Sequence, residues 1–337
     1  MKKRFIGQLE VSPIGMGCMG FSHGYGKIPS REYSIAAIQE AYKYGCTFFD
    51  TAETYGDVLY YTGHNEEILG EAVESFRDQV VIATKLHIHD EELVEGYDLY
   101  TLMRKHLDAS LKRLRTNYVD LYYLHRVNEL VPNEEVAKVM GQFIKEGLIK
   151  GWGISAVDID TIKQVHAITP LTAVQNIYNI LERDCEKEVL PYCLEHNIGL
   201  VPFSPIASGF LSGKISTQTE FEKEDDVRNF VPQLSKENIE GNQPILDTLN
   251  QFAREKNATL AQISLSWMLK KYPNIVPIPG SKNKERIIEN LGGWNIELTD
   301  DEFNRLDSQL NQLEIHGHRG ISETQHVSFR NKWDTKD

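Results

Sequence analysis

Eight short β-rich runs recur along the chain: IGMGC (14–18), CTFF (46–49), VVIAT (80–84), YVDLYYL (118–124), IKGWGI (149–154), LTAVQ (171–175), IGLVPF (198–203) and IVPIP (275–279). Helical patterns separate them, so each run reads as a strand of a parallel βαβ unit, because a parallel neighbour is reached only by a crossover. Eight units in one series point to an α/β fold of the closed (β/α)8 TIM-barrel type, which leaves no open sheet edge. Such a barrel needs about 250 residues and leaves roughly 90 for loops and termini. The surplus falls at 86–98, at 206–242 and in a C-terminal tail, 313–337. The first two segments follow the third and seventh strands, on the side where barrel enzymes build their active sites. The reading is therefore a single barrel domain over residues 1–337 with long βα loops and a C-terminal tail.

The helices carry their own punctuation. Ser30 precedes a helix from about Arg31 to Tyr44 as its N-cap, and Gly147 should close the helix of VAKVMGQFIKEG. Over 99–115 one face collects Leu99, Leu102, Met103, His106, Leu107, Ser110, Leu111 and Leu114, the spacing of a helix against a core. Trp152 and Tyr122 read as core residues on the strands.

Charge and cysteine usage exclude whole classes of function. With 36 Lys+Arg against 49 Asp+Glu the chain is formally −13, a surface that repels a nucleic-acid backbone. No apolar run has the ~20 residues of a membrane helix, and MKKRFIGQLEVSP lacks the apolar core of a signal peptide, so a cytoplasmic protein without membrane attachment is expected. Cys18, Cys46, Cys185 and Cys193 form no C-x-x-C pair and read as reduced, mostly buried thiols.

Gly15, Gly17 and Gly20 match the G-x-G-x-x-G dinucleotide fingerprint, and Asp50 ends the next strand. That fingerprint requires its last glycine to open the helix that receives the pyrophosphate. Here FSHGYGKIP intervenes before Ser30, and no Tyr-x-x-x-Lys pair occurs, so these glycines read as a turn around a barrel strand.

In a parallel barrel the C-terminal strand ends converge on one mouth. Strand two ends at Asp50 with Tyr55 on its loop, strand three at Lys85 and strand four at His125. With neighbouring strands about 4.8 Å apart, these side chains can meet. A tyrosine beside a lysine beside a carboxylate, with a histidine opposite, can donate a proton. The ammonium is expected to favour the phenolate and lower the pKa of Tyr55, with Asp50 keeping Lys85 charged. Each residue alone reads equally well as a cap, a rim aromatic or a surface lysine; their joint placement decides against this. His87 and His89 form an H-x-H pair after Lys85, but the further ligands of a metal site are missing, so no metal is expected.

Over residues 8–312 the chain resembles the aldo-keto reductase superfamily. FFDTAETYG (48–56), GHNEEILGEAV (63–73), IATK (82–85), DLYYLHR (120–126), KEGLIKGWGIS (145–155), FSPIASGFLSGK (203–214) and PGSKNKERIIENLG (279–292) carry the resemblance. It implies an NADPH-dependent oxidoreductase that reduces an aldehyde or ketone, with Asp50, Tyr55, Lys85 and His125 as catalytic tetrad and Tyr55 as general acid. For NADPH/NADP+ it implies Ser155 and Gln175 at the carboxamide, and Phe203 stacked on the nicotinamide. Ser204, Leu211, Gly213 and Lys214 would lie over the pyrophosphate, Ser281, Lys282, Asn283 and Arg286 at the 2′-phosphate, and Glu289 and Asn290 at the adenine. Lys282, Lys284 and Arg286 also form a basic cluster where a helix begins, a suitable place for an anion. Two departures from the family pattern concern the cofactor: Ala156 stands where many members have Asn, and Phe203 where many have Tyr.

Two rival readings differ in class. A cofactor-binding regulatory subunit with slow turnover would resemble the beta subunits of voltage-gated potassium channels, which carry an extra N-terminal segment, whereas the first strand here begins within about 15 residues of Met1. A Schiff-base aldolase would use Lys85 as nucleophile and leave Tyr55 and Phe203 without a role. The substrate is expected to be a small carbonyl compound chosen by the loop 86–98, by residues near Tyr25 and Tyr60 and by the tail. No motif bears on stereochemistry, direction of reaction or oligomeric state.

Overall fold

The computed structural model describes residues 3–319; the tail beyond Arg319 lies outside the described residues. Among the described residues nine strands are present: β1 (Arg4–Ile6), β2 (Leu9–Val11), β3 (Met16–Gly17), β4 (Phe48–Asp50), β5 (Val81–Leu86), β6 (Val119–Leu124), β7 (Ile149–Ser155), β8 (Ala173–Gln175) and β9 (Gly199–Leu200). β3 to β9 form a parallel sheet in chain order, as βαβ logic requires, and the ring is closed by the segment 274–280. There Leu200 N–H donates to the Asn274 carbonyl and Val276 N–H to the Leu200 carbonyl, Gly15 N–H donates to the Pro277 carbonyl at 2.9 Å, and Gly17 bridges to Gly280. The eighth run is thus in place but is no continuous strand, because Pro277 and Pro279 have no N–H to give to a ladder. The molecule is a (β/α)8 barrel.

Side chains alternate across each strand, and the two faces build two apolar layers. Phe48, Ala83, Leu121, Tyr123, Ala173, Val201, Val276 and Ile278 fill the barrel interior. Phe49, Ile82, Tyr122, Leu124, Trp152 and Ile154 point outward against the helices. The alternation puts Asp50, Lys85 and His125 inside the barrel at its C-terminal rim.

β1 and β2 form an antiparallel hairpin that the strand pattern did not announce. Ile6, Leu9 and Val11 join the interior cluster and close the barrel floor. Gly7 makes the turn at φ +55°, and a Cβ on Gly199 would stand 2.7 Å from Ile6 Cγ2, so glycine lets the hairpin seat.

Among the described residues eleven α-helices surround the barrel: α1 (Arg31–Tyr44), α2 (His64–Val73), α3 (Leu99–Arg113), α4 (Asn133–Lys145), α5 (Ile159–His166), α6 (Val189–Glu195), α7 (Lys236–Gly241), α8 (Gln243–Lys256), α9 (Leu260–Lys271), α10 (Lys284–Leu291) and α11 (Asp300–Asn311). Ser30 caps α1 by accepting from Tyr33 N–H, and Gly147 follows α4 with φ +74°. All four cysteines are free and buried. Among the described residues no helix is long and apolar enough to cross a membrane.

Candidate active site

The turn after β4 continues the ladder beside β5. Thr51 N–H donates to Ala83 O at 2.9 Å, Glu53 N–H to Lys85 O at 3.3 Å, and Tyr55 N–H closes the turn on Ala52 O. These bonds return the Tyr55 side chain over the strand end that carries Lys85.

Lys85 is fully buried and spends its three donors on the Asp50 carboxylate at 2.5 Å, the Thr51 carbonyl at 2.7 Å and the Tyr55 hydroxyl at 3.2 Å. Burial opposes its charge, but Asp50 and the Tyr55 hydroxyl outweigh burial and hold Lys85 above the usual lysine range. The second oxygen of Asp50 accepts from the Gln175 amide at 2.8 Å. The His125 ring stands edge-on to Tyr55, 5.7 Å between centroids, with Thr54 Oγ1 3.4 Å from its Nδ1. All four predicted tetrad residues therefore meet at the mouth.

The electrostatics differ from the expectation for Tyr55. Its hydroxyl is pushed above the ordinary tyrosine range, because burial outweighs the pull of Lys85 and Asp50 adds to the rise. Tyr55 thus keeps its proton at neutral pH, and Lys85 limits a rise it does not reverse. His125 is held well below the usual imidazole range by burial and by Arg126, Lys85, His87 and His23 around it. In a neutral ring one nitrogen donates and the other accepts, and no further positive charge joins Lys85 and Arg126 at the mouth.

The other predicted residues lie on β7 and β8, in the segment after the seventh strand run and at α10. Ser155 and Gln175 are neighbours in register on β7 and β8, both buried. Phe203 is half-buried and ends the seventh strand run. Ser204, Ala207 and Ser208 have positive φ of 49°, 49° and 54°, as do Gly209 and Gly213. The N–H groups of Ala207, Gly209, Leu211 and Gly213 donate to carbonyls within this segment. Leu211 is buried beneath it, and the buried Ser208 hydroxyl has no hydrogen-bond partner among the described residues. Lys214 pairs with Glu289 at 2.7 Å and joins this run to α10.

At the start of α10 the basic cluster disperses. Asn283 caps the helix by accepting from Arg286 N–H at 2.9 Å, and Ser281 precedes it. Lys282 turns away and donates to the carbonyls of Tyr25 and Lys27. Lys284 lies 4.7 Å over the Tyr33 ring and 4.0 Å from Glu40. Arg286 is exposed, and Asn290 is buried one turn on.

The glycine fingerprint is accounted for by packing. A Cβ on Gly15 would meet Phe48 at 2.5 Å, and one on Gly17 the Ile278 carbonyl at 3.0 Å. Gly20 sits in a short turn, Met19–Phe21, and opens no long helix.

Four residues near the mouth carried no assignment from the sequence. Arg126 donates to Ser155 Oγ at 3.2 Å, and burial pushes it down to about 10. His23 stacks obliquely on Tyr55 at 5.3 Å. Glu53, buried in the Tyr55 turn, faces His106 on α3 at 2.9 Å. Arg126 and Glu53 lie inside matched segments, and His106 is a polar residue on an apolar helix face; these were the available signals. His87 packs against His89 and edge-on to His125, at the mouth.

A parallel barrel with Asp, Tyr, Lys and His brought together at its C-terminal mouth defines the class: a barrel protein equipped for proton transfer to a bound group. The family model for the aldo/keto reductase family matches residues 13–311. A probable aldo-keto reductase of Glycine max is 33% identical over 331 residues, covering 95% of this chain and 92% of the relative. The chain belongs to the aldo/keto reductase family. Among solved structures it is similar to the glycerol dehydrogenase of Gluconobacter oxydans, at a TM-score of 0.80 and 26% identity over 92% of this chain and 95% of that one. It is also similar to an aldo/keto reductase of Klebsiella pneumoniae solved in complex with NADP and acetate, at a TM-score of 0.68 and 26% identity over 93% and 98% of the two chains.

Proposed function

We propose that this protein reduces an aldehyde or ketone to an alcohol with NADPH, and that Tyr55 donates the proton. The carrying observation is the Lys85 ammonium, buried and bonded at once to Asp50 and to the Tyr55 hydroxyl. When bound, NADPH supplies the hydride. Tyr55 holds the proton at its hydroxyl, Lys85 stabilises the phenolate left after transfer, and Asp50 keeps Lys85 charged and aimed. His125, neutral, orients the carbonyl by hydrogen bonding.

The residues beside the tetrad suit a dinucleotide by their chemistry: the buried, unpartnered Ser208 hydroxyl can donate to a diphosphate, and Lys214 stands at the end of the same segment. Ser155 and Gln175 would hold the carboxamide, with Phe203 against the ring. Ser204, Leu211, Gly213 and Lys214 would bind the diphosphate region, Ser281, Asn283 and Arg286 the 2′-phosphate side, with Lys282 bracing the 25–27 loop beside it, and Glu289 and Asn290 the adenine. The buried reduced thiols and the absence of a membrane-spanning helix among the described residues support a cytoplasmic setting.

Absorbance at the nicotinamide band, followed across a panel of aldehydes and ketones, tests the reading. Tyr55→Phe should lower turnover by about 10²- to 10⁴-fold while NADPH binding stays intact. Full turnover in that variant rejects Tyr55 as the acid, and no turnover of any carbonyl by the unaltered protein favours a regulatory subunit.

A further inference from the structure

His106 is the one imidazole of the described structure held at both nitrogens by carboxylates. Its Nδ1 lies 2.9 Å from Glu53 Oε2 and its Nε2 3.0 Å from Glu92 Oε1, with the ring largely buried against the barrel. A neutral imidazole carries one N–H and one lone pair, and a lone pair facing a carboxylate oxygen is repelled. Only the imidazolium donates to both.

The two carboxylates belong to two different parts of the mouth. Glu53 stands two residues before Tyr55, accepts from His87 N–H at 2.7 Å, and its carbonyl accepts from Gly63 N–H. Glu92 lies in the loop after β5 and accepts from His89 N–H at 3.1 Å. The same loop is braced by Asn128, which donates to Ile88 O and to Asp90. His106 therefore joins the turn that carries the proton donor to the loop that follows Lys85.

We propose that His106, as an imidazolium, is a positioning residue of the reductase: it clamps Glu53 to Glu92 and fixes the Tyr55 turn and the 87–92 loop in one arrangement. The catalytic side of this inference rests on Tyr55 being the proton donor.

Other charged groups belong to the same buried cluster. From α3 itself Arg113 reaches Glu53 at 3.9 Å and Glu66 of α2 at 2.6 Å, and Glu66 also accepts from Thr84 of β5. The Tyr122 hydroxyl of β6 feels both Glu53 and Glu66. Arg113 compensates part of the negative charge, at Glu53 and Glu66. Burial works against the charge on His106, but Glu53 and Glu92 outweigh it and raise the ring above the usual imidazole range. The clamp is consequently present at neutral pH, with both carboxylates ionised, and is lost as pH rises through the raised value.

The experiment pairs an activity readout with one that does not depend on turnover. In the full-length enzyme, the His106 Cε1–H resonance is titrated by NMR, and kcat/KM is followed from pH 6 to 9 with the carbonyl compound reduced fastest in the panel. The expected midpoint for His106 lies above 6.5, and Glu92→Gln should lower it and move the alkaline fall in kcat/KM to lower pH. His106→Gln should cost on the order of tenfold in kcat/KM at pH 6 and flatten the alkaline fall, with NADPH binding unchanged. A wild-type midpoint at or below 6.5, or a wild-type pH profile in both variants, overturns the proposal. Where His106→Gln fails to fold, Glu92→Gln at its loop position decides the matter. If Tyr55→Phe retains activity, the Tyr55 reading falls, while the NMR titration still reports whether the clamp exists.

Discussion

Gln175 and Asp50, 125 residues apart in sequence, face each other inside the barrel, the amide of one donating to the carboxylate of the other at 2.8 Å. The carboxylate is shared, since its other oxygen takes the Lys85 ammonium. Gln175 thereby completes the coordination of the lysine's counter-ion, and one hydrogen-bonded chain runs Gln175, Asp50, Lys85, Tyr55. Under the proposed roles, nicotinamide binding and proton transfer share that chain.

Gln175→Leu should therefore cost more than cofactor contacts. It leaves one oxygen of a buried carboxylate unpaired, a loss of about 1.5–3 kcal/mol in stability, and pushes the Asp50 carboxyl further up. Urea unfolding and turnover at saturating NADPH should fall together. A variant that loses only NADPH affinity, with unchanged stability and kcat, contradicts the chain.

His125 gives a pH prediction of definite sign. The unfolded chain binds a proton at this residue near 6.5, the folded chain only well below that, so acidification through this window favours unfolding. Between pH 6.5 and 5 the residue removes at most about 2 kcal/mol of stability. The Tm of His125→Asn should depend on pH less steeply than that of the unaltered protein over this interval. The neutral ring also means that kcat/KM shows no acid limb near 6.5 from His125, and pH–rate measurements check this directly.

Much of this site was legible because barrel geometry converts sequence position into space. Strand ends were readable from apolar runs, so Asp50, Lys85 and His125 could be placed on one rim without a contact map. What resisted was whatever depends on contacts between non-neighbouring segments. The eighth strand run was placed correctly, but Pro277 and Pro279 leave it without continuous ladder bonding. The floor hairpin escaped because three-residue strands carry too little periodicity. The Tyr55 pKa was misread because lysine proximity is visible in sequence and burial is not. His106 looked like one more position on a helix face, since its two carboxylates lie 53 and 14 residues away.

The dispersal of the basic cluster separates two arginine and lysine roles. Lys282 is committed to the carbonyls of Tyr25 and Lys27, while Arg286 is exposed on α10. Arg286→Ala should weaken NADPH by about 10- to 100-fold, the worth of a charged hydrogen bond, and leave NADH nearly unchanged. Lys282→Ala should loosen the 25–27 loop and weaken both nucleotides alike. Fluorescence titration of each variant with both nucleotides distinguishes the two, and equal losses in Arg286→Ala would rule out its 2′-phosphate contact.

Ala156 occupies a backbone conformation that suits another residue. Its φ is +57°, its N–H donates to Gln175 O at 3.0 Å, and it is almost wholly buried beside Ser155. An alanine in the left-handed region costs about 1–2 kcal/mol, whereas asparagine tolerates it. Ala156→Asn should raise stability by about 1 kcal/mol. Its amide should also tighten NADPH and NADH by the same factor, because the nicotinamide end is common to both. Ala156→Gly relieves the backbone without adding an amide and should leave nucleotide affinity as it was. Thermal unfolding and titration of the pair separate the two effects: lower stability in Ala156→Asn means that the side chain does not fit, and equal affinity in all three proteins means that position 156 makes no contact with the nicotinamide.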